Sequence, residues 1–160
     1  MMDERTQGSL KGMTVLIVDD NTHMRRLIGT LLQVIGSPTC LEASCGKQAA
    51  DILTRVPIDL LICDWRMGEM SGLELVKVAR CEGYLRNPLL PIVAVSAYSN
   101  DHMVREMYAA GANAVMTKPI GISTFVSTIS RVTQRPNAFR QAGKWFGPEH
   151  GGGAEVHDLS

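Results

Sequence analysis

Three aspartates, a serine and a lysine each close an apolar run, and together they could do chemistry. Asp19 and Asp20 follow "TVLIV", Asp64 follows "LLIC", Ser96 follows "PIVAV" and Lys118 follows "NAVMT". Three carboxylates brought together repel; at ~4 Å and an effective dielectric near 20, each pair costs on the order of 4 kcal/mol. A divalent cation relieves that repulsion, and octahedral Mg²⁺ (or Mn²⁺) takes a few carboxylates while keeping several waters. The Lys118 ammonium adds a point charge. Cation, ammonium and the Ser96 hydroxyl together suit the oxygens of a transferring phosphoryl group. Cations beside Asp64 are expected to hold it ionised from near its reference pKa of about 3.9. An ionised carboxylate needs no general base, so Asp64 is the candidate nucleophile and an aspartyl phosphate the candidate product. Alone, each residue says little, because an Asp at a strand end is commonly a helix cap and a Lys-Pro commonly a turn.

These residues meet only if the elements carrying them line up. The apolar runs predict strands over 14–18, 39–43, 58–63, 90–95 and 113–117. Between them lie helical patterns. The first starts at Asn21 or Thr22 and carries Met24, Leu27, Ile28, Leu31, Leu32 and Ile35 on one face, with Gly36 ending it. Others are expected over 45–55, over 71–82 with Leu73, Val76 and Ala79 inward, and from Ser99 or Asn100 to 109–112. The last, over about 121–133, is expected to bury Ile122, Phe125, Val126, Ile129 and Val132. Strands alternating with helices predict an α/β fold, a flavodoxin-like (βα)5 doubly wound parallel sheet of order 2-1-3-4-5. The continuous apolar runs of strands 1, 3 and 4 make them central, and the half-polar "TCLEA" puts strand 2 nearer an edge. In such a sheet ligands bind beyond the carboxyl ends of the strands where the order reverses, so the three acids, Ser96 and Lys118 converge.

Bulk composition narrows the partners. The 160 residues are 45% hydrophobic, enough for one core, and 16 Lys plus Arg balance 16 Asp plus Glu. A neutral chain offers no electrostatic case for nucleic acid or an anionic membrane. No window reaches the roughly 18 apolar residues of a membrane span, and "MMDERTQGSLKG" lacks a signal-peptide core, so a cytoplasmic location is expected. Cys40, Cys45, Cys63 and Cys81 form no C-x-x-C and read as small buried residues kept reduced; the scattered histidines give no zinc spacing. Residues 1–11 read as an N-terminal tail, 12–133 as the domain and 134–160 as a C-terminal extension, either a flexible appendage or a docking segment.

The motifs "VLIVDDN" (15–21), "LLICDWRM" (60–67), "VAVSA" (93–97) and "GANAVMTKP" (111–119) resemble the receiver domain of two-component response regulators. The resemblance spans about residues 12 to 133. It implies that Asp64 is the phosphoacceptor, Asp20 a direct Mg²⁺ ligand with Asp19 assisting through water, and the Arg66 backbone carbonyl a further ligand. It implies that Ser96 and Lys118 bond the phosphoryl group and that the Lys118–Pro119 peptide is cis. It also implies phosphoryl transfer from a sensor histidine kinase or histidine phosphotransfer protein, then signalling to a downstream protein target, with a homodimer among the assemblies open to it. The extension "RPNAF…KWFGPEH" resembles a segment that follows some bacterial receivers.

This chain departs from the family at Gly68, where a proline is usual, and at Val115, where an aromatic switch residue is usual; Tyr98 is a candidate substitute. Arg66 and Tyr98 hold positions that modulate access of hydrolytic water, so slow loss of the phosphoryl group is expected. The departures leave a rival reading, a pseudo-receiver that acts by contact without phosphorylation. An aspartate-nucleophile phosphatase is disfavoured because "VDDN" lacks D-x-D, and a flavin carrier because "DDNTHMRR" lacks a Ser/Thr/Gly-rich phosphate loop.

Overall fold

Four apolar runs and the half-polar "TCLEA" become parallel strands, and capping residues such as Asn21, Ser71 and Asn100 start helices that carry the chain back across the sheet. The computed structural model describes residues 10–68, 70–81, 87, 89–97 and 100–134, together with the backbone of 139–142 and 145–148. Strands β1 (Thr14–Val18), β2 (Thr39–Ala43), β3 (Leu60–Asp64), β4 (Ile92–Ser96) and β5 (Ala114–Thr117) alternate with helices α1 (Thr22–Val34), α2 (Gly46–Arg55), α3 (Gly72–Arg80), α4 (Asp101–Ala110) and α5 (Ile122–Gln134). The strands form one parallel sheet of order β2-β1-β3-β4-β5, the order expected from sequence.

Alternation along the strands feeds two cores. Val15, Ile17, Ile62 and Val95 pack with Ile28 and Leu32 of α1 and Phe125 and Ile129 of α5. Leu16, Leu61, Ala94 and Val115 pack with Leu53, Leu75, Val76, Val104 and Met107 of α2 to α4. Side-chain caps start the helices: Asn21, Ser71 and Asn100 accept backbone N–H bonds from Met24, Glu74 and Met103. Of the alternatives left open, the caps are therefore Asn21 and Asn100.

Several boundaries differ from the sequence reading. β3 begins at Leu60 and includes Asp64; Ile58 and Asp59 lie before it, and the Asp59 carboxylate accepts the Thr14 N–H at 2.8 Å. β4 begins at Ile92, after Leu90 and Pro91. Within α3 the buried leucine is Leu75, and Leu73 is half-buried. Ile122 is 62% exposed rather than buried, because it is the first residue of α5, ahead of the Phe125–Ile129–Val132 row that packs on the sheet. Cysteine burial is mixed: Cys63 is buried, Cys40 and Cys45 are half-buried, and Cys81 is exposed; all four are free thiols.

After α5, β6 (Phe139–Ala142) and β7 (Trp145–Pro148) pair antiparallel, a hairpin that the helical-period reading of the extension did not foresee. Among the described residues, no helix is long and apolar enough to cross a membrane.

Candidate functional site

The β1 end is fixed by a short ladder of hydrogen bonds. The Asp19 N–H donates to the Ala43 carbonyl at 3.1 Å, carrying the sheet one residue past β1. Its Oδ1 accepts the Asn21 N–H at 2.8 Å, an Asx turn that swings the chain into α1. Asp19 is 1% exposed, whereas Asp20, the next residue, is exposed.

At the β3 end, Asp64 is the last strand residue, in register with Val95, and 6% exposed. The next N–H, that of Trp65, donates to the Val95 carbonyl at 2.9 Å, and the Gly72 N–H donates back to the Trp65 carbonyl at 2.9 Å. The β3–α3 loop thus closes directly onto the residue after Asp64. Closure requires Gly72 to lack a side chain, since a Cβ there would lie 2.6 Å from the Asp64 carbonyl oxygen and 2.7 Å from Trp65 Cα. Gly46, at the start of α2, is equally tight against Met70. Gly68 is different: it is exposed, has open space where a Cβ would go, and shows no positive φ.

β5 brings the cation. Ser96 and Thr117 pair across β4 and β5, and the Lys118 N–H donates to the Ser96 carbonyl at 2.8 Å. The Lys118–Pro119 peptide is cis. The ammonium lies 3.2 Å from Asp19 Oδ2 and 3.4 Å from Asp64 Oδ1. Carboxylate oxygens of Asp19, Asp20 and Asp64 all lie within 4.8 Å of one another, so the three acids and Lys118 are brought together. Ser96 closes β4, 1% exposed. Arg66 is exposed in the loop beside Asp64, and Val115 is buried within β5. Tyr98 lies outside the described residues.

The electrostatics correct one expectation. Burial, then the Asp19 charge, pushes the Asp64 carboxyl up to about 6, and Lys118 opposes this only in part. For Lys118, burial pulls the ammonium down, but the charge of Asp64 and the bond and charge of Asp19 outweigh it and leave it raised. Burial likewise pushes the Cys63 thiol up, so the sulfur beside the site is no nucleophile.

These residues fit a hard divalent cation. The donor set is all oxygen, and an excess of anionic charge is gathered at one point, with oxygens of the three acids within 4.8 Å of one another.

Sequence reasoning missed two residues. Arg25 on α1 donates from Nη1 to the Asp19 carbonyl at 2.7 Å and from Nε to Glu42 Oε1 at 2.9 Å. No local signal marks it, because Arg25 and Glu42 meet only once β1 and β2 are in register. Gly72 was also missed, since nothing in the sequence separates it from Gly68.

Residues 15–130 match the family model described as response regulator receiver domain. The chain is 31% identical over 125 residues to the chemotaxis protein CheY-3 of Vibrio cholerae, covering 78% of this chain and 95% of that one. It is 40% identical over 108 residues to a chemotaxis protein CheY homolog of Campylobacter jejuni, covering 67% and 82% respectively. Its fold is similar to that of the chemotaxis response regulator CheY4 of Vibrio cholerae, with a TM-score of 0.69, 28% identity, and 76% and 99% coverage.

Proposed function

The chain belongs to the response regulator receiver domain family of two-component signalling, and from that premise we propose that it is a single-domain response regulator that accepts a phosphoryl group on Asp64. The observation that carries this reading is the buried Asp64 carboxylate at a strand end, 3.4 Å from Lys118 and in contact range of two further acids. A carboxylate oxygen of Asp64 attacks the phosphorus, forming an acyl phosphate. The bond from phosphorus to the donor's imidazole nitrogen breaks, and that nitrogen keeps the electron pair. A sensor histidine kinase or a histidine phosphotransfer protein is the donor class.

Each residue contributes separately. Lys118 neutralises part of the acid cluster before transfer and meets a phosphoryl oxygen afterwards. Ser96 supplies a hydroxyl at the neighbouring strand end. Both oxygens of Asp19 already accept hydrogen bonds, from Asn21 and Lys118, which suits a ligand that works through water. The exposed Asp20, Asp64 and the Arg66 carbonyl are left as direct ligands of Mg²⁺ or Mn²⁺. When bound, that ion supplies positive charge to the phosphoryl oxygens. The protein is thus a phosphoacceptor rather than an enzyme with a separate substrate. It works in the cytoplasm and signals by contact with a protein target, with no role for nucleic acid or membrane. Phosphorylation replaces the single negative charge of the Asp64 carboxylate by the about −1.5 to −2 charges of a phosphoryl group at the carboxyl end of the sheet, which biases the surface around α4, β5 and α5. With Val115 buried and aliphatic, Ser96 and Lys118 transmit the change.

The test is beryllofluoride with Mg²⁺, followed through the emission of Trp65, which is 5% exposed beside Asp64. A Trp145→Phe background removes the other emitter. A saturable change that is lost in Asp64→Ala supports the reading; an unresponsive Trp65 sinks it and favours the pseudo-receiver. Deleting 134–160 and measuring dimerisation and target affinity tests whether the extension docks.

A further inference from the structure

The guanidinium of Arg25 spans three elements. Nη1 donates to the Asp19 carbonyl at 2.7 Å, Nε to Glu42 on β2 at 2.9 Å, and Nη2 to the Thr22 hydroxyl at 3.2 Å. The Arg25 side chain is 14% exposed and its bond to the Asp19 carbonyl is part-buried, whereas the bonds to Glu42 and Thr22 are open to water. The carbonyl it holds belongs to the peptide that joins Asp19 to Asp20. The N–H of Asp19 is pinned to Ala43 on β2, and that of Asn21, two residues on, to the Asp19 carboxylate. The plane of the Asp19–Asp20 peptide sets the direction in which the exposed Asp20 carboxylate leaves the backbone.

We infer that Arg25 is a positioning residue for the divalent-cation site, fixing the Asp19–Asp20 peptide so that the Asp20 carboxylate faces Asp64. This rests on the reading of Asp19, Asp20 and Asp64 as the metal-binding acids. Glu42 neutralises the guanidinium and anchors its far side, so Arg25 holds the carbonyl without adding a bare positive charge beside the cation. Residues that orient metal ligands typically change metal affinity by about 10- to 100-fold when removed. A lysine cannot replace the fork, because an ammonium on a flexible stem does not present three fixed donors.

The experiment is a Mg²⁺ titration of the full chain, in the Trp145→Phe background, read through Trp65 emission, for Arg25→Ala, Arg25→Lys and Glu42→Gln. Positioning and charge predict opposite signs. Deleting a cation beside a divalent-ion site tightens Mg²⁺ if charge alone matters; loss of positioning weakens it. The expected result is about tenfold weaker Mg²⁺ binding in Arg25→Ala, weakened binding in Arg25→Lys, and a smaller loss of about threefold in Glu42→Gln, which keeps the fork on the Asp19 carbonyl but leaves its charge bare. Unchanged or tighter binding in Arg25→Ala overturns the inference. If Arg25→Ala does not fold, Arg25→Lys decides, and parental affinity there overturns it. A parent that shows no Mg²⁺ response overturns the metal reading and this inference together, whereas a responsive parent with an equally responsive Arg25→Ala overturns this inference alone.

Discussion

The two ends of the sheet both bury charge, and they treat it in opposite ways. At the amino ends of the strands, Arg80 of α3 is 2% exposed. Its Nε and Nη2 donate to the Gly111 carbonyl at 3.1 and 2.9 Å, and Nη2 also donates to Asn113 Oδ1 at 3.0 Å. The same Asn113 oxygen accepts the Ile92 N–H at 2.7 Å, so one guanidinium ties α3, the end of α4 and the starts of β4 and β5 together. Burial pulls Arg80 down to about 9, which still leaves it charged at neutral pH. At the carboxyl ends, three carboxylates face one ammonium, and Asp64 is pushed up to about 6. The first arrangement satisfies its charge with fixed dipoles and holds the fold. The second keeps an excess of negative charge that an added cation relieves, which suits a site that takes up a divalent ion.

Substitutions can break this contrast. The largest expected effect is at the satisfied end. Arg80→Ala leaves the Gly111 carbonyl and Asn113 without their charged donor and should cost about 3 kcal/mol in a urea melt. Phosphoryl acceptance per folded molecule should stay at the parental level; a selective loss of acceptance would merge the two ends into one functional unit. Next, Gly72→Ala forces a Cβ against the backbone of Asp64 and Trp65, where nothing flexible can yield. It should cost about 2 kcal/mol and also slow acceptance, measured as the rate of acyl phosphate formation. Asp64→Asn should have the opposite sign. Removing one of three mutually repelling acids stabilises the metal-free protein by about 1 kcal/mol, and the advantage shrinks when Mg²⁺ stabilises the parent. Melts with and without chelator check this, and a destabilised Asp64→Asn would show that the acids are not in net repulsion. The smallest effect is at Gly68, where open space and ordinary φ predict a gain of about 0.5 kcal/mol for Gly68→Ala, through a less flexible unfolded chain.

What was legible in the sequence follows from range. Strand ends are readable because an apolar run stops, so Asp19, Asp20, Asp64, Ser96 and Lys118 could be placed before any tertiary contact was known. The parallel order followed from the alternation of elements. Contacts set by register across the sheet were not legible: Arg25 with Glu42, and Arg80 with Asn113, 33 positions apart. Gly68 in the β3–α3 loop and Gly72 at the start of α3 were also indistinguishable by local sequence. Gly68 drew notice as a departure from the family pattern, yet it is Gly72 that the packing constrains. Ile122 continues the apolar period of α5 but precedes the part of the helix that meets the sheet. The ionisation of Asp64 depends on how deeply a strand end is buried, which residue types alone do not give.

The central claim is that Asp64 accepts a phosphoryl group. Incubation of the full chain with acetyl phosphate and Mg²⁺, followed by intact-mass measurement, tests it directly. The account predicts a gain of one phosphoryl group that vanishes in Asp64→Ala and on chelation of the metal. A parent that gains no mass, even with a phosphohistidine donor, or a gain that survives in Asp64→Ala, would contradict it.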